Sequence, residues 1–269
     1  EVIEKEYTNY DGFVVLHGSD TMSYSASALS FMLEGLSKPV IFTGSQLPIG
    51  DLRTDAKENL ITSIQLAALK EEGQSVIREV GLYFEYKLYR GNRTTKVNAE
   101  RFQAFTSPNY PLLVESGVHL KIMKENLFKP KPHTILKVWK EFEQKVAILK
   151  MFPGITPQLL NAFFSIEGLK GVVLETYGSG NAPTDEWFLE CLRKAIGKGI
   201  HIVNVTQCSG GSVIMGKYAA SEALKTMGII DGKDITTESA ITKMMILLKK
   251  NISPNLFKIK FEESIVGEV

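Results

Sequence analysis

The chain has 269 residues, of which 44% are hydrophobic and 23% charged, and its formal net charge is +1. These values are ordinary for a globular protein with hydrophobic cores, and they give no reason to expect nucleic acid or an anionic membrane as a partner. No apolar run approaches the roughly 18 residues that a membrane span needs, and two cysteines argue against a disulfide framework.

The first strand and the loop that follows it organise the N-terminal part of the chain. Residues 13–16 (FVVL) predict a short strand buried on both faces, and a small polar run then leads into a helical pattern near Ser23. In open α/β sheets, ligands bind at this carboxyl end of a strand, where helix amides favour anionic groups. The alternative is a helix cap, in which Asp20 or Ser23 pairs with free backbone amides.

Strands and helices alternate along the rest of the chain. Strands are predicted at residues 40–42, 80–84, 112–120, 146–149, 171–174 and 201–205. Helices are predicted at residues 51–72, 156–164, 185–198, 219–227 and 238–250. Such alternation favours parallel pairing through right-handed crossovers. Residues 125–145 are predicted to form a linker, because prolines interrupt this segment and its charge is dense.

We therefore predict an α/β protein composed of two α/β domains. The larger N-terminal domain, residues 1–124, has a mainly parallel sheet, and the smaller C-terminal domain, residues 146–269, has a parallel sheet. Three polar loops of the first domain, residues 18–23, 43–50 and 88–96, each follow a predicted strand. Loops that leave the same edge of one sheet would converge on a single cleft.

Two of these loops carry side chains suited to nucleophilic and acid–base catalysis. Asp20 stands between the hydroxyls of Ser19 and Thr21, so its carboxylate can hold a substrate ammonium while a hydroxyl attacks or positions water. Lys96 lies among other basic residues, and a desolvated amine at that position can serve as the base for a hydroxyl. The alternatives are a solvated surface lysine at Lys96 and a structural hydrogen-bonding role for His17.

Other motifs give weaker signals. Residues 177–183 (YGSGNAP) follow a strand but do not match the dinucleotide fingerprint, and residues 208–212 (CSGGS) lack the glycine–serine–glycine spacing of a nucleophile elbow. The four histidines do not have metal-ligand spacing. The sequence therefore does not predict a zinc site.

Four motifs occur in order along almost the whole chain: HGSDTM at 17–22, TGSQLP at 43–48, RGNRTTK at 90–96 and YGSGNAP at 177–183. Together they resemble the bacterial-type L-asparaginase family, and most closely its type I, cytoplasmic branch. The resemblance implies a threonine-nucleophile amidohydrolase that converts L-asparagine to L-aspartate and ammonia without a metal or cofactor. It also implies a cytoplasmic location.

The resemblance assigns roles to single positions of this chain. Gly18, Ser19 and Asp20 match the substrate-binding loop, in which Asp20 would grip the α-ammonium of the substrate. Lys96 matches a lysine that would deprotonate the Ser19 hydroxyl or a water, so Ser19, Asp20 and Lys96 form the implied catalytic set. Asn181 matches an asparagine that helps to bind substrate at the active site of a neighbouring subunit. A homodimer or homotetramer is therefore implied.

Two departures from the family pattern bear on activity. Ser19 stands where the family usually has threonine, which keeps the hydroxyl but removes the methyl group that fixes its rotamer. The sequence also contains no TGGTI run, which in the family ends the first strand and carries the attacking threonine. We therefore expect the 269-residue chain by itself to release little ammonia from asparagine.

Two other functions stay open on the sequence. The glutaminase module of a tRNA-dependent amidotransferase shares these motifs, although the sequence shows no basic face suited to tRNA. A non-catalytic scaffold or partner-binding protein would keep the asparaginase fold after losing the nucleophile. Ammonia release from asparagine separates these possibilities.

Overall fold

The computed structural model describes residues 1–131, 134–216 and 219–269, and within it the chain forms two compact units. Unit 1 contains residues 1–140 and 266–268, and unit 2 contains residues 141–265 together with residue 269. The predicted linker, residues 125–145, is divided between the two units, and its residues 132 and 133 lie outside the described ranges. No helix within these ranges is long and apolar enough to cross a membrane.

Unit 1 combines helices with short strands. Its helices within the described ranges are α1 (Val2–Glu6), α2 (Met22–Met32) and α3 (Ala56–Ala67). Its strands are β1 (Phe13–Leu16), β2 (Leu33–Glu34), β3 (Val40–Thr43), β4 (Lys70–Glu71), β5 (Gln74–Ser75), β6 (Val80–Phe84), β7 (Lys87–Arg90), β8 (Thr95–Lys96), β9 (Phe105–Thr106), β10 (Val114–Ser116), β11 (Leu120–Ile122) and β12 (Lys137–Val138). Short 3-10 helices lie at Ser19–Thr21, Gly91–Arg93 and Lys124–Asn126.

The main sheet of unit 1 has the strand order β1-β3-β6-β7-β10-β11. β1, β3 and β6 pair in parallel, with Val15 opposite Phe42 and Phe42 opposite Leu82. From β6 onward the strands are joined as antiparallel neighbours. The predicted α/β class is confirmed, and the structure adds an antiparallel half that strand-helix alternation did not predict.

Helices cover both faces of this sheet, because alternate side chains of its central strands point to opposite sides. On one face, Phe42 and Leu82 pack in an apolar cluster with Met22 of α2. On the other face, Ile41 packs in a second cluster with Leu66 of α3. Burial on both faces explains why β3 and β6 are continuous apolar runs rather than alternating ones.

Three predictions for unit 1 are wrong. Residues 112–120 do not form one strand, because β10 and β11 are the two strands of an antiparallel pair. β1 is not buried on both faces, because it lies at the edge of the sheet and Leu16 is 65% exposed. α3 is shorter than predicted, and it turns Asn59 and Ser63 inward while Ile64 is exposed. The buried amide of Asn59 bonds with neighbouring loops, so hydrogen bonding rather than hydrophobicity sets which face of α3 packs inward.

Unit 2 has a single parallel sheet. Its helices within the described ranges are α4 (Pro157–Phe164), α5 (Glu186–Gly197), α6 (Ala219–Thr226), α7 (Thr237–Lys249) and α8 (Pro254–Glu262). Its strands are β13 (Val146–Lys150), β14 (Gly171–Thr176), β15 (His201–Thr206) and β16 (Ile230–Asp231). They pair in this order and all in parallel, as predicted.

The central strand β14 belongs to two apolar clusters at once. Val172 packs on the side that contains Phe188 of α5, and Val173 packs on the side that contains Met244 of α7. A strand with a helix layer on each face has no solvent-facing side. The run GVVL at 171–174 is the sequence signature of that position.

We predict that Leu82→Ala lowers the free energy of unfolding by about 2–5 kcal/mol, because it removes a fully buried side chain from β6 and leaves a cavity. Equilibrium urea unfolding measures this change. The matched control is Leu52→Ala, whose side chain is fully exposed and whose effect should stay within about 0.5 kcal/mol. Equal effects of the two substitutions would contradict the central position of β6.

Candidate functional site

Ser19, Asp20 and Lys96 lie together in unit 1. Ser19 and Asp20 belong to the 3-10 helix between β1 and α2, and Lys96 ends β8. Lys96 Nζ donates to Ser19 Oγ at 2.9 Å and to Asp20 Oδ1 at 2.7 Å. The fold therefore brings together three candidate residues, two of which are adjacent while the third is 76 positions from Asp20 along the chain.

The two charged groups of this cluster differ in exposure. The Lys96 side chain is 17% exposed, whereas that of Asp20 is 94% exposed. Hydrogen bonding and charge from Lys96 lower the pKa of the Asp20 carboxyl, so this group is an anion at neutral pH. Because water screens so exposed an ion pair, its contribution to stability is small, and its consequence is the orientation of the Lys96 amine.

The Ser19 hydroxyl lies between Lys96 and Gln46. It accepts from Lys96 Nζ and donates to Gln46 Oε1 at 3.2 Å. Gln46 Nε2 in turn donates to the carbonyl oxygens of Ala99 and Arg101 at 3.2 and 2.9 Å. Gln46 therefore connects the Ser19 loop to the loop beyond Lys96.

Gln46 itself is held by the start of α3. Its backbone N–H and that of Leu47 donate to the Asp55 carboxylate at 3.0–3.2 Å. Asn59 donates to the Gly44 carbonyl at 2.9 Å and accepts from the backbone N–H of Glu85 at 3.1 Å. The TGSQLP motif is evident in the sequence, but the roles of Gln46 and Asn59 are not. The only signals are an amide side chain shortly after a strand for Gln46 and a polar residue within a helix for Asn59.

Gly44 allows two loops of the site to approach closely. The His17 backbone N–H donates to the Thr43 carbonyl at 2.9 Å, which joins the ends of β1 and β3. A Cβ atom at position 44 would overlap the carbonyl oxygen of His17. A residue without a side chain is therefore required here, and this requirement fixes the spacing between the Ser19 loop and the Gln46 loop.

The loop that carries Lys96 does not leave the sheet edge where β1 and β3 end. β7 runs antiparallel to β6, and its last residue, Arg90, pairs with Gly81 near the start of β6. The chain then returns along α2, where Thr94 Oγ1 lies 3.1 Å from Ser23 Oγ. The predicted convergence of three loops from one edge is corrected in this respect: the β6–β7 hairpin reverses the chain, and α2 guides the loop back to Ser19.

His17 and Gly18 border the cluster. His17 Nδ1 donates to the Gly18 carbonyl at 2.7 Å, and the His17 ring lies 5.8 Å from the Phe42 ring, which agrees with a structural role. Gly18 is exposed, and a Cβ atom there would meet no atom within 4 Å. Within the described ranges, no group of three or more His, Cys, Asp or Glu side chains could hold a metal ion.

Asn181 belongs to unit 2, in the turn after β14. Its backbone N–H and carbonyl bond with the backbone of Tyr177 at 2.8 and 2.9 Å, and this pairing shapes the YGSGNAP loop. The Asn204 side chain donates to the Gly180 carbonyl at 3.1 Å and holds the same loop from β15. Asn181 Oδ1 is buried, and no hydrogen-bond donor reaches it within the part of the chain that the structure describes.

We predict that Lys96→Met raises the pKa of the Asp20 carboxyl toward its ordinary value, because the hydrogen bond and the charge that lower this pKa are removed. A pH titration of the Asp20 carboxyl by carbon-13 NMR measures the change. Lys121→Met, on the exposed edge strand β11, is the matched control and should leave this titration unchanged. An unaltered Asp20 pKa in Lys96→Met would contradict the ion pair.

Comparison with protein families gives two adjacent matches. Residues 1–128 match the family model described as "Asparaginase, N-terminal", and residues 145–260 match "Glutaminase/Asparaginase C-terminal domain". The matched segments together include all the site residues named above.

Individual relatives agree with these matches. The chain is 43% identical over 271 residues to L-asparaginase 1 of Escherichia coli, which covers the whole chain and 78% of that protein. It is 44% identical over 270 residues to the 60 kDa lysophospholipase of Mus musculus, covering the whole chain and 47% of that protein. The crystal structure of L-asparaginase I from Vibrio cholerae superposes with a TM-score of 0.92 at 41% identity, covering the whole chain and 79% of that structure.

Proposed function

The chain belongs to the asparaginase family, and from this premise we propose that it hydrolyses L-asparagine to L-aspartate and ammonia. The observation that carries the proposal is the contact of one lysine, Lys96, with both a hydroxyl and a carboxylate. These are the three kinds of group that amide hydrolysis of an amino-acid substrate requires: a carboxylate for the ammonium, a hydroxyl, and a base.

Asp20 is proposed to bind the α-ammonium of asparagine. Its Oδ1 is held by Lys96, and because the side chain is 94% exposed, its second oxygen is accessible to a substrate. A charge-assisted hydrogen bond between an ammonium and a carboxylate is both short and directional. It would therefore fix the position of the side-chain amide relative to Ser19 and Lys96.

Lys96 is proposed to act as the general base. Its Nζ lies 2.9 Å from Ser19 Oγ, which is within proton-transfer distance, so the neutral amine can accept the proton of that hydroxyl or of an adjacent water. A hydroxyl nucleophile attacks the amide carbon, and the amide nitrogen leaves as ammonia once it has received a proton. Water then hydrolyses the resulting ester to give aspartate and regenerates the hydroxyl.

Ser19 is proposed to assist the reaction rather than to form the first bond to the substrate. The family resemblance implies that the groups matching Ser19 and Lys96 lie on the side of the substrate opposite the nucleophile, where they assist. Its hydrogen bonds with Lys96 and Gln46 suit a group that relays a proton. High activity of the 269-residue chain that is lost in Ser19→Ala would instead make Ser19 the nucleophile.

We predict that Lys96→Met, made in an enzyme that also carries the family's TGGTI run, lowers kcat for asparagine by about two to four powers of ten, as expected for the loss of a general base. Asp20→Ala should chiefly raise KM, because the substrate ammonium loses its partner. Steady-state ammonia release measures both effects, with Lys121→Met as the control that keeps wild-type kinetics. Near-normal turnover in Lys96→Met would remove Lys96 from the mechanism.

Substrate choice separates the proposed function from its alternatives. An asparaginase releases ammonia from free asparagine, a glutaminase module prefers glutamine, and a scaffold protein releases none. The 43% identity with an L-asparaginase over the whole chain favours the first outcome. We also propose a cytoplasmic location, supported by the type I motifs, which fractionation of cells that produce the protein would test.

We propose that the protein is a homodimer or homotetramer in which Asn181 contributes to the active site of a neighbouring subunit. The proposal rests on the family resemblance of the YGSGNAP loop. Asn181 is partly exposed, so a neighbouring subunit can approach its side chain, although its Oδ1 is buried and bonds with no donor in the described residues.

Mixing two inactive variants tests this arrangement. In a mixed dimer of Lys96→Met and Asn181→Ala protomers, one of the two sites would combine an intact Lys96 with an intact Asn181. Random mixing makes half of the dimers mixed, so we predict recovery of about one quarter of the wild-type ammonia release. If Asn181 acts on the site of its own subunit, mixing restores nothing.

A further inference from the structure

The loop that leads to Lys96 contains four buried polar side chains, and three of them, Arg90, Asn92 and Arg93, donate to one remote segment of the chain. Arg90 Nη1 donates to the carbonyl oxygen of Gly267 at 3.2 Å, and Asn92 Nδ2 donates to that of Val266 at 3.2 Å. Arg93 Nη1 donates to the carbonyl oxygen of Glu268. Three consecutive carbonyls of the segment 266–268, which belongs to unit 1, thus accept from one short stretch of loop.

Two of these contacts supply acceptors to guanidinium groups, which cannot become neutral. A guanidinium keeps its charge at any physiological pH, so a buried arginine needs acceptors around its whole rim. Arg90 donates to Glu79 at 2.6 Å and to the Asn126 carbonyl at 3.0 Å, and its guanidinium carbon lies 4.2 Å from the centre of the Tyr110 ring. The 266–268 segment supplies a further acceptor, so displacing it leaves a buried cation incompletely paired.

The same loop is fixed on its opposite side by contacts that reach the active site. Thr94 Oγ1 lies 2.8 Å from the Gly91 carbonyl and 3.1 Å from Ser23 Oγ at the start of α2. Two residues later, Lys96 contacts Ser19 and Asp20. The loop is therefore held between α2 and the 266–268 segment, and Lys96 is at its end.

We propose that the 266–268 segment is a positioning element for the active site, which holds the 90–96 loop so that Lys96 reaches Ser19 and Asp20. The inference rests on the proposed role of Lys96 in asparagine hydrolysis. It assigns a functional role to residues that are 170 to 172 positions from Lys96 in sequence. A purely structural role would instead affect stability and leave the geometry around Lys96 unchanged.

Gly267 offers a substitution that acts directly on this contact. Its φ is +82°, and an added Cβ would overlap Arg90 Nη1 and lie 2.7 Å from Arg90 Cζ. Gly267→Ala must therefore move either the segment or the arginine. Gly73→Ala is the matched control: the φ of Gly73 is +77°, which imposes similar backbone strain, but no atom lies within 4 Å of its Cβ position.

The experiment compares both variants with the parent protein by two independent readouts. We expect Gly267→Ala to raise the pKa of the Asp20 carboxyl toward its ordinary value, as Lys96→Met does, because the lysine withdraws from Asp20. We also expect kcat to fall by about 10- to 100-fold, as misplacement of a catalytic group by about 1 Å can produce. Gly73→Ala should leave the Asp20 titration unchanged and kcat within about twofold of the parent value.

Several outcomes would overturn the inference. If Gly267→Ala lowers the melting temperature but changes neither the Asp20 titration nor kcat, the segment only stabilises the fold. If Gly73→Ala has the same effects as Gly267→Ala, backbone strain rather than the Arg90 contact is responsible. If Gly267→Ala does not fold, Glu268→Ala replaces it, since it removes the acceptor of the Val266 N–H within the segment without adding an atom.

The Asp20 titration separates this inference from the proposed function. It reports the position of Lys96 whether or not asparagine is turned over. Full activity of Lys96→Met would disprove the role of Lys96 as base, whereas an unchanged Asp20 titration in folded Gly267→Ala would disprove positioning by the segment.

Discussion

The loop that ends at Lys96 depends on one constraint: an arginine that is buried must be given acceptors, because it cannot lose its charge. Arg90 and Arg93 lie in the interior of unit 1, and their acceptors come from loops, a 3-10 helix and a segment far away in the chain. Each acceptor fixes the loop in one more direction. The hydrogen bonds that the buried arginines require therefore also hold the loop in place, so that it reaches Ser19 and Asp20.

Ser19 and Asp20 differ in how firmly the surrounding structure holds them. Ser19 is bonded on two sides, by Lys96 and Gln46, and Gln46 is anchored to the start of α3 through Asp55. Asp20, in contrast, extends into solvent. The Lys96 amine is largely buried, whereas the Asp20 carboxylate is exposed. This arrangement fits a site in which the base is held in place before substrate binds and the carboxylate is open to the substrate.

The sequence was sufficient to predict the local features of this protein. Alternating apolar strands and helical patterns predicted the α/β class and the all-parallel sheet of unit 2, and the strand-end position of the HGSDTM motif led to Ser19 and Asp20. The basic residues that follow the third predicted strand led to Lys96. In each case the signal is contained within about 10 neighbouring residues, which is the range over which hydrophobic periodicity and turn chemistry act.

The features that sequence analysis missed depend on partners that are remote in the chain. Gln46 owes its importance to carbonyls more than 50 positions away, and Asn59 turns inward because backbone groups of two other loops require its amide. The return of the 90–96 loop along α2 follows from a hairpin that periodicity does not distinguish from another parallel strand. The exposure of β1 likewise follows from its position at the edge of the sheet, and the sequence of one strand does not reveal that position.

The absence of a side chain at position 44 has a consequence for how the active site can change over evolutionary time. The surrounding contacts are made by side chains, and each can be exchanged for another that bonds in a similar way. Position 44 has no such freedom, because even one methyl group would meet the His17 carbonyl and push apart the loops that carry Ser19 and Gln46. The distance between the Ser19 loop and the Gln46 loop is therefore set by backbone contact at position 44, and substitution can change the side chains around this glycine more readily than it can change the spacing of the two loops.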